Sequence, residues 1–144
     1  MASASVEQEF DLPAEALWAL VGDFGDVGKW SGEPPEHCVQ EGEGVGSLRR
    51  LTVDDGAVIV DRLEAQTENS YTYSVVDPES SPLPFRSYTA TMMVLPIDAQ
   101  RSRLIWAGEF EPDGISEEKA TSFALSMYGL GIGLMRQTVA AMSR

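Results

Sequence analysis

The alternation of apolar and polar positions changes period twice along this chain. Val6, Gln8 and Phe10 alternate with Glu7 and Glu9, which predicts a short strand over 6–10. Asp11-Leu12-Pro13-Ala14-Glu15 then reads as a helix start: Asp11 or a neighbour caps, Pro13 suits the first turn, and Glu15 favours the positive end of the helix dipole. That helix carries Leu17, Trp18, Leu20 and Val21 and stops near Gly22. A second short helix or turn covers 24–30, weakened by Gly25 and Gly28, and Gly32-Glu33-Pro34-Pro35 ends it.

From there to Phe110 the period is two, the signal of a strand meander. Strands are predicted over 37–40, 47–53, 58–66, 71–76, 85–95 and 103–110. Gly42, Gly44 and Gly46 make a flexible turn, and Asp54-Asp55-Gly56 a tight hairpin turn. Glu68-Asn69-Ser70 and Asp98-Ala99-Gln100 turn the chain again. Residues 78–84 hold Pro78, Pro82 and Pro84, which exclude a central strand and leave a long loop.

The last third switches to helical spacing, predicting one long helix over 116–142. Ala124, Tyr128, Gly131, Ile132, Met135, Val139 and Met142 share a face. A second set, Phe123, Leu125, Met127, Leu130 and Leu134, widens that face until the helix must be nearly surrounded at its centre. Gly129, Gly131 and Gly133 weaken this helix, each by about 1 kcal/mol relative to alanine. Either they make room for a ligand and let the helix bend, or they allow close packing against the sheet or the Trp18 helix. The whole predicts an α+β domain, a sheet curled around a long C-terminal helix with a cavity between them.

At 144 residues this is a single domain, 1–144. No stretch offers the roughly 18 apolar residues of a membrane span, and the first residues lack the basic and apolar regions of a secretory signal. The expected location is the cytoplasm. One cysteine, Cys38, forms no intramolecular disulfide. A formal charge of -13 opposes nucleic acid and anionic bilayers, and leaves neutral ligands unaffected.

Several local patterns carry a resemblance: Leu17-Trp18 followed by Asp23-Phe24 and Trp30; Gly44-Val45-Gly46-Ser47-Leu48-Arg49; Gly56 followed by Asp61-Arg62-Leu63; Tyr73-Ser74-Val75; 82–88; and Trp106. In this order and spacing the chain resembles the SRPBCC or START-like helix-grip superfamily, which includes lipid-transfer START domains, birch-pollen-allergen proteins, plant abscisic-acid receptors and bacterial polyketide cyclase/dehydrase-like proteins. The resemblance implies a curved antiparallel sheet wrapped around the C-terminal helix, with two short N-terminal helices. It also implies that Arg49, Asp61 and Tyr88 point into the cavity. Period-two geometry extends the inward set to Leu51, Val53, Ile59, Tyr73, Val75, Ala90, Met92, Trp106, Gly108 and Phe110. Trp30 and, from the long helix, Ala124, Tyr128, Gly131, Ile132 and Met135 complete the expected ligand-binding lining.

Leu51, Val53, Val75 and Met92 equally suit an ordinary core. Arg49 and Asp61 are different, because a charge on the inward face is costly unless it pairs, meets cavity water or meets a ligand. Arg50 and Arg62 face solvent by the same alternation. Met127 and Met135 would give the cavity an adaptable wall. Loops 54–57 and 77–84 frame its mouth, with Leu83 and Phe85 as apolar lips, but the gate and latch motifs of the hormone receptors are absent.

His37 is the single histidine, and adjacent Cys38 would point to the opposite face of a strand, so neither a metal site nor a Cys-His pair is expected. No cofactor motif is present. The leading expectation is a protein that binds a small, largely apolar ligand: a lipid, an aromatic or a polyketide-like molecule. One alternative is a metal-independent cyclase, dehydratase or lyase using Asp61, Tyr88 and Arg49 for proton transfer and charge stabilisation. Lys29 and Lys119 are the only lysines, which disfavours Schiff-base chemistry. A third reading is a non-catalytic interaction module with a filled cavity. Met92, Met93 and the apolar helix suit a homodimer as well as inward packing.

Overall fold

A computed structural model describes residues 1–53 and 55–142. The first strand, β1 (Ala2–Phe10), begins four residues earlier than the alternation of large side chains indicates. Ala2 and Ala4 are buried while Ser3 and Ser5 are exposed, so the period of two continues in residues of little hydropathy contrast. Helix α1 (Ala14–Val21) follows directly after Pro13, and Asp11 provides no side-chain cap. It stops where the Gly22 N–H donates to the Trp18 carbonyl at 2.8 Å. A Cβ at Gly22 would lie 2.3 Å from the Trp18 ring, so only glycine lets the chain turn this closely.

The second helix is shorter than the 24–30 expectation: α2 is Gly28–Ser31. Asp23 competes with helix there, accepting from the Gly25 N–H at 3.1 Å and from Lys29 Nζ at 3.0 Å. A 3₁₀ turn at Pro35–His37 leads into β2 (Cys38–Glu41). The strands β3 (Leu48–Thr52), β4 (Val58–Gln66), β5 (Ser70–Val75), β6 (Phe85–Pro96) and β7 (Ser102–Pro112) then follow. Together they form one antiparallel seven-stranded sheet in the order β1-β7-β6-β5-β4-β3-β2. The β3–β4 turn closes with the Gly56 N–H on the Val53 carbonyl at 2.8 Å, and Gly56 sits at φ +84, a conformation that favours glycine. The prolines at 78–84 leave that segment outside the sheet, apart from a 3₁₀ turn at Pro78–Ser80.

The long helix α3 (Glu117–Met142) starts behind Ser116, whose hydroxyl accepts the Lys119 N–H at 3.1 Å. It packs mainly on β1 and α2 rather than on the middle of the sheet. Its buried residues are Ala120, Ala124, Tyr128, Gly131, Ile132 and Met135. The second apolar set does not enclose the helix as expected: Leu125, Leu134 and above all Leu130, 73% exposed, are open to solvent, Phe123 is covered on one side only, by Phe85, and Met142 is exposed too. One sheet covers one side of a helix, and α1 and α2 are too short to reach round it.

The three glycines of this helix separate on the same ground. A Cβ at Gly131 would meet the Trp106 ring at 2.7 Å, whereas Gly129 and Gly133 have nothing within 4 Å. Close packing therefore explains Gly131, and none of the three opens the interior to a ligand. In urea denaturation, Gly131→Ala should destabilise the fold by about 1–3 kcal/mol through overpacking. Gly129→Ala and Gly133→Ala should each stabilise it by up to about 1 kcal/mol. Equal effects at all three positions would contradict this packing.

Candidate functional site

Because α3 lies toward the β1 side, the inward faces of the remaining strands are left uncovered over a cavity of about 160 Å³. Five strands present residues of their inward faces to it: Arg49 and Leu51 of β3, Ile59 and Asp61 of β4, Tyr71, Tyr73 and Val75 of β5, Tyr88 and Met92 of β6, and Trp106 of β7. Val27 and Trp30 close one side, Leu83 contributes from the proline-rich loop, and α3 adds Met127 and Tyr128.

Eleven of the expected lining residues thus surround one space: Trp30, Arg49, Leu51, Ile59, Asp61, Tyr73, Val75, Tyr88, Met92, Trp106 and Tyr128. Eight others lie off it, among them Phe110, which is buried against Phe85 and Tyr88. Val53 falls beyond the end of β3, in the hairpin turn where its N–H donates to the Ala57 carbonyl, so the strand alternation no longer orients it. Ala90 and Gly108 are register partners roofed by the Tyr128 hydroxyl, which would lie 2.2 Å from a Cβ at Gly108. Gly131 is covered by Trp106, and Ala124, Ile132 and Met135 are buried in the core that α3 shares with its neighbours. Phe85 is no lip: it is buried, with its ring 5.1 Å from Tyr88 and 4.8 Å from Phe110. Of the expected gate at 54–57, Asp54 lies outside the described residues.

Val27 and Tyr71 are lining residues the sequence reading passed over. Tyr71 was legible, since it stands two residues before Tyr73 on the same strand face. Val27 was not, because the turn around it has no periodicity.

At the β3–β4 end of the wall, Arg49 and Asp61 are direct cross-strand partners. Arg49 Nε donates to Asp61 Oδ2 at 2.9 Å, and the two residues are 4% and 2% exposed. Arg49 Nη1 donates to the Phe24 carbonyl at 3.0 Å and to the Tyr71 hydroxyl at 3.4 Å. The guanidinium also lies 4.4 Å from the Phe24 ring centre and 4.8 Å from that of Tyr73. Burial works against this cation, yet Tyr71, Asp61 and Tyr73 outweigh it and hold Arg49 above its ordinary value. Burial also pushes the Asp61 carboxyl up, against the pull of Arg49. The cause is visible in the geometry: Oδ1 has no hydrogen-bond partner at all.

A second polar row crosses the cavity. Trp106 Nε1 donates to the Tyr73 hydroxyl at 3.1 Å, and the Tyr88 and Tyr128 hydroxyls share a hydrogen bond of 2.5 Å. The Trp106 and Tyr128 rings stack at 4.7 Å. Burial raises Tyr73 and Tyr88 above the ordinary phenol value, and it pushes Tyr128 up to about 12, although the Tyr88 hydrogen bond acts the other way. At neutral pH all three are protonated phenols, not bases. His37 stands apart, part-exposed, with Nδ1 2.9 Å from Glu33 Oε2. Among the described residues no cluster of potential metal ligands occurs, and no helix is long and apolar enough to cross a membrane.

A model of the family described as polyketide cyclase / dehydrase and lipid transport matches residues 1–139. Among solved structures, the protein XoxI from Bacillus cereus is similar with 27% identity and a TM-score of 0.86, covering 100% of this chain and 99% of that one. A START superfamily protein from Mycobacterium smegmatis shares the fold at 16% identity and a TM-score of 0.77, over 99% of both chains. Zhui aromatase/cyclase from Streptomyces sp. R1128 does so at 16% identity and a TM-score of 0.68, over 97% of this chain and 93% of that one. No curated protein matches the chain in sequence.

Arg49→Met leaves Asp61 charged, buried and unpaired, and should cost about 3–5 kcal/mol in chemical denaturation. Adding Asp61→Leu should restore most of the loss, and a double variant no better than the single one would contradict the pairing. At alkaline pH the tyrosines decide. Their folded values lie above the unfolded value of about 10, so the stability they contribute is whole below pH 10 and is lost as pH rises. Ionisation of Tyr73, Tyr88 and Tyr128, read by absorbance at 295 nm, should coincide with loss of the near-ultraviolet circular dichroism signal. Ionisation of these three in the intact fold would overturn the prediction.

Proposed function

The chain belongs to the polyketide cyclase / dehydrase and lipid transport family, and on that premise we propose that it is a binding protein for a small, largely apolar ligand held between the sheet and α3. The observation that carries this reading is that the strong polar groups of the wall are engaged with one another. Asp61 is bonded to Arg49, Tyr88 to Tyr128, and Tyr73 to Trp106. What remains is a concave surface made mostly of aromatic and aliphatic side chains, the composition of a small-molecule pocket. General acid–base catalysis near neutrality needs a group that titrates there, and burial holds the wall tyrosines well above that range. The tyrosines are held too high, the carboxylate is tied to a cation, and the histidine is elsewhere.

One observation favours a second reading, a cyclase or dehydratase acting in the same cavity. Arg49 keeps its charge beside an aromatic-walled space, where it would stabilise an enolate-like oxygen. Asp61→Asn and Tyr88→Phe separate the two. A carrier loses affinity at most, whereas an enzyme loses turnover while its substrate still binds.

The cavity itself is tested with naphthalene as a neutral apolar probe, followed by ¹H–¹⁵N spectra. Saturable shifts should concentrate on wall residues and vanish in Met127→Trp, whose larger side chain fills the space. Binding that survives Met127→Trp, or shifts spread over the outer surface, would sink the proposal.

A further inference from the structure

The donors and acceptors of the cavity wall do not balance. Arg49 donates through Nε to Asp61 Oδ2 and through Nη1 to the Phe24 carbonyl and the Tyr71 hydroxyl, while Nη2, with two N–H groups, makes no hydrogen bond among the described residues. Trp30 Nε1 and Asp61 Oδ1 are the side-chain atoms there that lack both a partner and any open surface. Nη2 is not one of them. Within a residue only 4% exposed it therefore keeps open surface, and the space that Arg49 borders is the cavity.

The phenols add to the surplus of donors. Tyr71 accepts from Arg49 and donates to nothing among the described residues. Trp106 Nε1, Tyr73, Tyr88 and Tyr128 carry four donor hydrogens between three oxygens, so hydrogen bonds passed along that row leave one proton over. On the accepting side, the carboxylate oxygen without a partner, Asp61 Oδ1, is sealed off even from water. A guest that brings an acceptor matches this wall, whereas one that brings a donor meets no open carboxylate.

Charge narrows the choice. Arg49 and Asp61 already offset each other, so Nη2 offers a charge-assisted hydrogen bond but no uncompensated charge. A carbonyl oxygen takes that bond and adds no charge. A carboxylate takes it too, yet leaves a net negative charge beside Asp61, whose own carboxyl burial already pushes up. Size limits the rest of the molecule, since an apolar cavity of about 150 Å³ takes up benzene and this one is about 160 Å³.

We propose that the cavity selects a neutral carbonyl compound, a ketone, aldehyde or ester with an apolar body of about one aromatic ring, its oxygen accepting from Arg49 Nη2. This rests on reading the cavity as a ligand site. Arg49 is then a specificity determinant as well as the tie between β3, β4 and the α1–α2 connection, and the aromatic wall supplies the affinity.

Four probes of one phenyl body test it at pH 7 on the full chain: ethylbenzene, acetophenone, 1-phenylethanol and benzoate. A site without an open donor would prefer ethylbenzene, because burying an unmatched polar group is unfavourable. The expected result is that acetophenone binds at least threefold tighter than any of the other three. Its carbonyl stretch, read by infrared difference between ¹²C and ¹³C carbonyl, should lie at or below its frequency in water. In the double variant Arg49→Met, Asp61→Leu, which keeps no unpaired charge, the preference for acetophenone over ethylbenzene should fall at least tenfold while ethylbenzene affinity holds. Ethylbenzene, 1-phenylethanol or benzoate binding tightest, a carbonyl frequency equal to that in hexane, or a preference unchanged in the double variant would each overturn the proposal. Failure of all four probes while naphthalene binds would overturn the proposal alone, and failure of naphthalene as well would remove the ligand-site reading beneath it.

Discussion

The rest of the cavity depends on one constraint: an arginine and an aspartate stand side by side on the inner face of a sheet, where neither is tolerable alone. Arg49 and Asp61 lock β3 to β4 in register, since a slip of one residue would send both to the opposite face. Arg49 also reaches across to the Phe24 carbonyl and so holds the α1–α2 connection against the sheet. Around its guanidinium stand Phe24, Tyr71 and Tyr73, whose ring faces suit a cation that cannot shed its charge. Such a pair adds little net stability compared with an apolar replacement. Its structural effect is to fix which residues of three elements meet.

Helix α3 supplies the second half of the design. A helix centred on the sheet would fill the concave face. This one packs toward β1 and α2, and only Met127 and Tyr128 overlook the remaining space. Tyr128 lies flat on Trp106 and sets its hydroxyl above Gly108, where any side chain would displace it. The hydrogen bond to Tyr88 follows from that placement. A cavity persists because bulky rings brace one another across it and cannot collapse inward, in keeping with the dense packing of protein interiors.

Family and fold agree on the architecture, and the architecture hosts more than one activity. What bears on function is the state of the wall. Its polar groups are paired with one another, its tyrosines are held protonated by burial, and its one histidine lies elsewhere. These features suit the holding of a molecule better than the moving of its protons.

The strand-rich first part, the long last helix and the order of the turns were all legible in the sequence, because period two and period 3.6 are imposed by backbone geometry whatever the neighbours. The inward charges were legible too: Arg49 and Asp61 each sit in step with an apolar strand face, and their alternatives, pairing or a ligand, were open from the start. That they pair with each other was decided by the register of β3 with β4, a long-range property no local pattern carries. The α3 lining was misjudged for a related reason. Helical spacing says which residues share a face, but not what lies opposite: Ala124, Ile132 and Met135 met the core, Gly131 met Trp106, and Leu130 met solvent. The sequence by itself determined the elements and the chemistry available on each face. The tertiary structure alone decided where the helix lies on the sheet, and so where the cavity is and which polar atoms remain free, because those depend on distances between residues far apart in the chain.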